Sequence, residues 1–164
     1  MSASKALAFT SPRRKFSSHL GGVGMSFEAY LSCFEDGEES YFPTSIVEDA
    51  FAPFITRREP EFSCWVVTYD DASSADLYLN FDPGDASQCS GFTVARPADD
   101  PRLYEALWKI LRVTNSVVYC AGECPPMVGR AETLPHLDPD MVETLGSPVV
   151  VLDGDEIRKR FEQS

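Results

Sequence analysis

The stretch FSCWVVTYDDASSADLYLNFDPGDASQCSGFTVAR, residues 62–96, decides the fold. Three short runs of β-branched and aromatic residues are separated by turn chemistry. Phe62–Tyr69 is aromatic and β-branched, and Asp70-Asp71 closes it. Asp76–Phe81 alternates around Leu77 and Leu79, and Asp82-Pro83-Gly84-Asp85 ends it. Cys89–Arg96 follows, carrying Phe92 and Val94. Successive side chains of a strand point to opposite faces, so this alternation marks half-buried strands. The connections are too short for crossover helices. Each run must turn back beside the last, which predicts an antiparallel meander of hairpins.

Working outward, Phe27–Phe34 alternates too, with Phe27, Ala29, Leu31 and Cys33 on one face and Glu28, Tyr30 and Ser32 on the other. The charged segment Glu35-Asp36-Gly37-Glu38-Glu39 reads as a turn. Ser45 and Glu48 suit a capping box, and Ile46, Val47, Ala50, Phe51 and Phe54 share a helical face. Pro53 is expected to distort the end of that helix. Beyond the meander, Pro101–Val113 predicts a helix capped by Asp99 or Asp100, with Pro101 at its first position. Its stripe is Leu103, Leu107, Ile110 and Leu111, flanked by Tyr104 and Trp108. Asn115–Cys120 is a further strand, and Pro125-Pro126 breaks the chain. Asp138–Leu145 is a short helix started by Pro139 and stopped by Gly146. Pro148–Leu152 is a continuous apolar run, expected as a strand buried on both sides, and Asp155–Phe161 is a last helix. The expected order is β-α-β-β-β-α-β-α-β-α. It points to an α+β fold, a mainly antiparallel sheet with helices packed on it in one layer-sandwich domain over residues 25–164.

Charge divides the chain. Residues 1–24 carry Lys5, Arg13, Arg14 and Lys15 and no acid, while the whole chain is −12. Residues 25–164 therefore carry −16, from 10 Lys and Arg against 26 Asp and Glu. Residues 1–24 read as a flexible basic extension ending in Gly21-Gly22-Val23-Gly24, with Met25 as a second possible start. Arg and Ser richness without acids also fits a transit peptide. The apolar part is too short for a secretory signal, and the Gly run lacks the Gly-Lys-Ser/Thr ending of a phosphate-binding loop. No apolar stretch approaches the ~20 residues of a membrane span. The acidic body would be repelled by phosphate backbones and anionic lipid headgroups, so nucleic acid and membrane are poor partners.

No catalytic motif is present. Gly-x-Ser-x-Gly, His-Glu-x-x-His and Gly-x-Gly-x-x-Gly are all absent. Cys33, Cys64, Cys89, Cys120 and Cys124 read as reduced thiols that pack as small hydrophobes. Cys120-x3-Cys124 lacks the second pair or the ligand-spaced His that zinc needs, so no cofactor is implied. His136 stands alone in the body, without an evident nucleophile, although a Cys-His pair formed in space stays open. Arg57-Arg58 and Arg158-Lys159-Arg160 are expected near helix C-termini, where the helix dipole favours cations. The acids recur at turns. A partner-binding surface would draw on Glu35, Asp36, Glu38, Glu39, Asp70, Asp71, Asp82, Asp85, Asp99 and Asp100.

Three blocks carry a resemblance. The first is Met25-Ser26-Phe27, Tyr30-Leu31, Phe34 and Gly37-Glu38. The second is Arg96-Pro97, Asp100-Pro101-Arg102-Leu103 and Ala106-Leu107. The third is His136-Leu137, Pro139-Asp140-Met141-Val142-Glu143, Leu145-Gly146 and Pro148-Val149-Val150. Together they resemble a family of small acidic bacterial proteins of unknown biochemistry that look like immunity proteins of secreted (type VI or polymorphic) toxin systems. The resemblance leaves out residues 1–24 and assigns no residue a role. It implies a protein that binds a cognate toxin and occludes its active site. The reduced thiols point to the cytoplasm, the −16 body favours a basic toxin of the nuclease type, and the oligomeric state stays open with a monomer favoured. The competing expectation is an enzyme or small-molecule-binding protein with a pocket between sheet and helices. A third is a plain interaction module that dimerises through a strand edge.

Overall fold

The computed structural model describes residues 28–121 and 124–163. The basic leader, the possible start at Met25 and the first residue of the expected opening strand, Phe27, lie outside them. Ten strands form one open sheet: β1 (Glu28–Glu35), β2 (Glu38–Glu39), β3 (Phe42–Pro43), β4 (Ile55–Glu59), β5 (Cys64–Asp70), β6 (Ser73–Asp82), β7 (Asp85–Ala95), β8 (Ser116–Cys120), β9 (Met127–Val128) and β10 (Val149–Val150). Their spatial order is β10-β9-β8-β1-β7-β6-β5-β4, with β2 added to β1 and β3 to β7. Every pairing is antiparallel except β9 with β10. Among the described residues four α-helices accompany it: α1 (Thr44–Phe51), α2 (Pro101–Leu111), α3 (Pro139–Leu145) and α4 (Gly154–Glu162). The fold is α+β.

Strand alternation sorts the core into two layers. Ala29, Leu31 and Cys33 of β1 and Val118 and Cys120 of β8 face one way. They pack with Val47 and Phe51 of α1, six residues of α2 including Leu103, Leu107 and Ile110, and Ile157 and Phe161 of α4. The intervening Phe34, Val117, Tyr119 and Val128 face the other way, where Leu137 and Met141 beside and within α3 cover them. Helices α2 and α4 touch closely. A Cβ on Gly154 would sit 2.6 Å from the backbone of Tyr104 and Glu105, so glycine lets α4 start against α2. The cover on the second face is partial. Helix α3 and its approach shield the β8–β9–β10 side, and among the described residues a cleft lies over β1, β7 and β6. Among the described residues no helix is long and apolar enough to cross a membrane.

The meander forms as its pattern requires, and so do α2, capped by Asp100, and α3, capped by Asp138. Several local expectations are corrected. No Ser45–Glu48 capping box exists, because the helix begins at Thr44 with Pro43 at its N-cap and no side-chain cap bond. Glu48 instead accepts from Arg58 Nη2 at 2.8 Å. Arg57 and Arg58 do not end a helix. They lie on β4, an edge strand missed because Thr56, Arg57 and Arg58 are all exposed and break the alternation. Arg58 lies 4.5 Å over the Trp65 ring, so this edge is charged and discourages strand addition. Phe62 belongs to a 3₁₀ turn, Pro60–Phe62, and is 64% exposed, so β5 starts only at Cys64. The Pro148–Leu152 run shrinks to Val149–Val150 at the other edge. Both residues are half-buried and Leu152 is 77% exposed, so this strand is not buried on both sides.

Candidate functional site

The ten acids of the expected partner surface do not form one patch. Strands β1 and β6 run the same way, because each pairs antiparallel with β7. The β1–β2 turn and the β6–β7 turn therefore share one end of the sheet. That end holds Glu35, Asp36, Glu38, Glu39, Asp82 and Asp85. The β5–β6 turn and the segment after β7 share the opposite end, which holds Asp70, Asp71, Asp99 and Asp100. The eight residues of β1 separate the two ends by about 25 Å.

At the first end the acids are exposed or half-buried, and among the described residues no Lys or Arg lies within ion-pair distance of any of them. Asp36 meets His136: its backbone N–H donates to Nδ1 at 3.1 Å, and its carboxylate stands 3.5 Å from the same nitrogen. That contact, with Gly37 N–H donating to His136 O at 3.0 Å, pins the β1–β2 turn to the segment before α3. Asp82 and Asp85 shape their turn by accepting from the N–H groups of Gly84 and Ser87. Thr44 Oγ1 donates to Ala86 O, tying the start of α1 to the same end. Tyr41 stands among these acids, 43% exposed. Burial first, then the carboxylates of Glu39 and Asp82, push its phenol above the ordinary value. An exposed aromatic ringed by unneutralised carboxylates is what a cationic protein surface needs: long-range attraction plus a contact anchor.

At the second end the acids have internal work. Asp100 is 7% exposed and accepts from Arg102 N–H at 2.9 Å as the cap of α2. Arg102 also grips it with Nε at 2.9 Å and Nη2 at 2.8 Å. Those bonds hold the Asp100 carboxyl below its usual range. Asp99 accepts from Arg158 Nε at 2.8 Å across to α4 and is lowered for the same reason. Asp70 caps its own turn by accepting from Ala72 N–H.

His136 and the cysteine pair do not meet in a cleft. His136 is bonded to the β1–β2 turn from the segment before α3, whereas Cys120 and Cys124 are buried in the helix-covered core. A hydrogen bond with Cys120 lowers the Cys124 thiol against the opposing effect of burial, and Arg160 adds to the lowering. Among the described residues no three His, Cys, Asp or Glu gather as a metal site would need.

Strand register also builds a feature that no spacing in the chain announces. Tyr119, Tyr30, Thr93 and Tyr78 lie side by side on β8, β1, β7 and β6 as one row across the open face. In the next row Ser32 pairs with Gly91, where β7 bulges. Gly91 has φ +147°, and a Cβ there would lie 1.8 Å from Leu31 O, so the position must stay bare. Small residues between large rings leave a cleft of about 370 Å³, with Glu28 and Asn80 also in its lining. Tyr30 and Tyr119 stack at 5.4 Å. Tyr30 OH donates to Glu28 Oε1 at 3.0 Å, and with burial this keeps the Tyr30 phenol protonated far above its ordinary range. The side of the sheet facing α1, α2 and α4 carries the larger core cluster, and this cleft lies on the opposite face. Comparison of the chain with protein-family models, with curated proteins and with solved structures finds no match.

Proposed function

We propose that this protein is a cytoplasmic immunity protein that binds one cognate bacterial toxin, a basic nuclease, and occludes its active site. The observation that carries the reading is the first end of the sheet. Six acids share that end without an Arg or Lys partner among the described residues, and the exposed ring of Tyr41 stands beside two of them, Glu39 and Asp82. Unpaired charge at this density costs the fold stability, and attraction of a cationic partner is a use that offsets the cost. The resemblance carried by the blocks around Phe34, Asp100 and Pro139 supports the same reading. The test is to purify this chain with the protein encoded beside its gene. A one-to-one complex in which nuclease activity is abolished is the expected result. A neighbour that neither binds nor has toxin activity sinks the proposal, and binding whose rate ignores salt removes its electrostatic part. A second reading, small-molecule binding, has the cleft on the open face in its favour.

A further inference from the structure

The cleft stands on the other side of the molecule's chemistry from the acidic turns, and its lining is specific. Tyr30 and Tyr78 both pair with Thr93, so they stand two strands apart, about 10 Å between backbones. A group placed over Thr93 stands one strand spacing, about 5 Å, from the strand of each tyrosine, on the scale of the ~6 Å over which a cation is attracted to an aromatic face. Among the described residues Glu28 is the single charged residue in the lining, with no Lys, Arg or His beside it. Arg96, one residue beyond the end of β7, is bonded to Asp76 at 2.8 Å. Ser32, Asn80 and Thr93 add neutral donors and acceptors. The volume of about 370 Å³ falls within the span of small-ligand sites, roughly 300–1,000 Å³.

We infer that the cleft between Tyr30 and Tyr78 is a binding site for a small organic cation, an alkylammonium compound whose charged head sits over Thr93 beside the Glu28 carboxylate. Charge complementarity selects this ligand class. One carboxylate, several phenol rings and the −16 body raise the local concentration of cations and disfavour anions. A neutral polyol would use the hydroxyl groups but gain nothing from the field or from Glu28.

The test is an NMR titration of the full chain, reading the tyrosine ring resonances. The probes are choline, its uncharged isostere 3,3-dimethylbutan-1-ol, and glucose. Choline is expected to shift the Tyr30 and Tyr78 resonances and to bind about tenfold tighter than the neutral isostere. Glu28→Gln is expected to erase most of that preference. Tyr78→Leu, at a 41% exposed position outside the core, is expected to weaken choline about tenfold without unfolding the chain. Equal affinity for choline and its isostere overturns the inference. So does preference for glucose, an unaltered choline affinity in Glu28→Gln, or the absence of any shift. None of these results touches the toxin-binding proposal, which rests on the opposite set of residues.

Discussion

The two ends of the sheet carry the same residue type and put it to opposite uses. At one end Glu35, Glu38, Glu39, Asp82 and Asp85 have no cationic partner among the described residues. At the other, Asp100 and Asp99 are bonded to Arg102 and Arg158. The first set stands at the surface as like charges without a cation to neutralise them among the described residues. The second set is part of the fold. Acid count alone cannot separate these roles. The separation comes from which strand ends the register brings together, and from whether an arginine arrives with the acid.

The largest effect expected from this contrast is on association with a basic partner. Replacing Glu35, Glu38 and Glu39 with Gln, and Asp82 and Asp85 with Asn, keeps the turns' shape and removes five charges. Stopped-flow association at low salt should slow about 10- to 100-fold, and the slope of rate against ionic strength should flatten. Asp70→Asn/Asp71→Asn should change the rate by less than about threefold, because that end lies some 25 Å away, beyond the ~8 Å screening length. Equal slowing from both sets would erase the distinction between the ends.

Next comes stability at the paired end. Asp100→Ala removes the α2 cap and leaves Arg102 without its carboxylate, so urea unfolding should show a loss of about 2 kcal/mol. Asp99→Ala breaks an ion pair whose aspartate is 72% exposed, and should cost less than about 0.5 kcal/mol. The pH dependence has a fixed sign. The folded carboxyl of Asp100 lies below its ordinary value of 3.8. Its contribution is complete above that value and is lost as pH falls through the lower folded one. Acid should therefore destabilise the native chain more steeply than Asp100→Asn, which has no charge to protonate. Parallel acid curves would show that the Arg102 pair contributes nothing.

How much of this was legible beforehand depends on the range of the signal. The meander was legible because alternation and turn residues are local, and α2 because Asp100, Pro101 and the Leu103–Leu107–Ile110 spacing agree with one another. Strand β4 was not, since an edge strand exposes consecutive side chains and Arg57-Arg58 mimics a helix end. Strand β9 is a two-residue strand directly after Pro125-Pro126, too short for any period to show. The acids were legible as acids. Their division into two ends required knowing that β1 and β6 run in the same direction. The cleft was illegible altogether, because Tyr30, Tyr78, Thr93 and Tyr119 become neighbours only through the register of four strands.

The smallest effect is the most discriminating, because its sign differs between the ends. At the acidic end the five replacements that slow association should leave the fold slightly more stable, since like charges at one end repel and no cationic partner is lost with them; the Ser87 bonds, which favour the charged form of Asp85, set the opposing contribution. Asn retains the oxygen that accepts from Gly84 and Ser87, so the turn bonds of Asp82 and Asp85 survive the change. Screening should cancel the gain, because a Debye length of ~3 Å at 1 M salt is shorter than the spacing between turn carboxylates. Thermal unfolding of the five-site variant and the native chain, at low and high salt, reads this directly. A gain at low salt that vanishes at high salt identifies repulsion relieved. A loss of stability at both would mean that the acidic end, like the paired end, is held together by its carboxylates, and the argument for a partner-seeking surface would lose its physical basis.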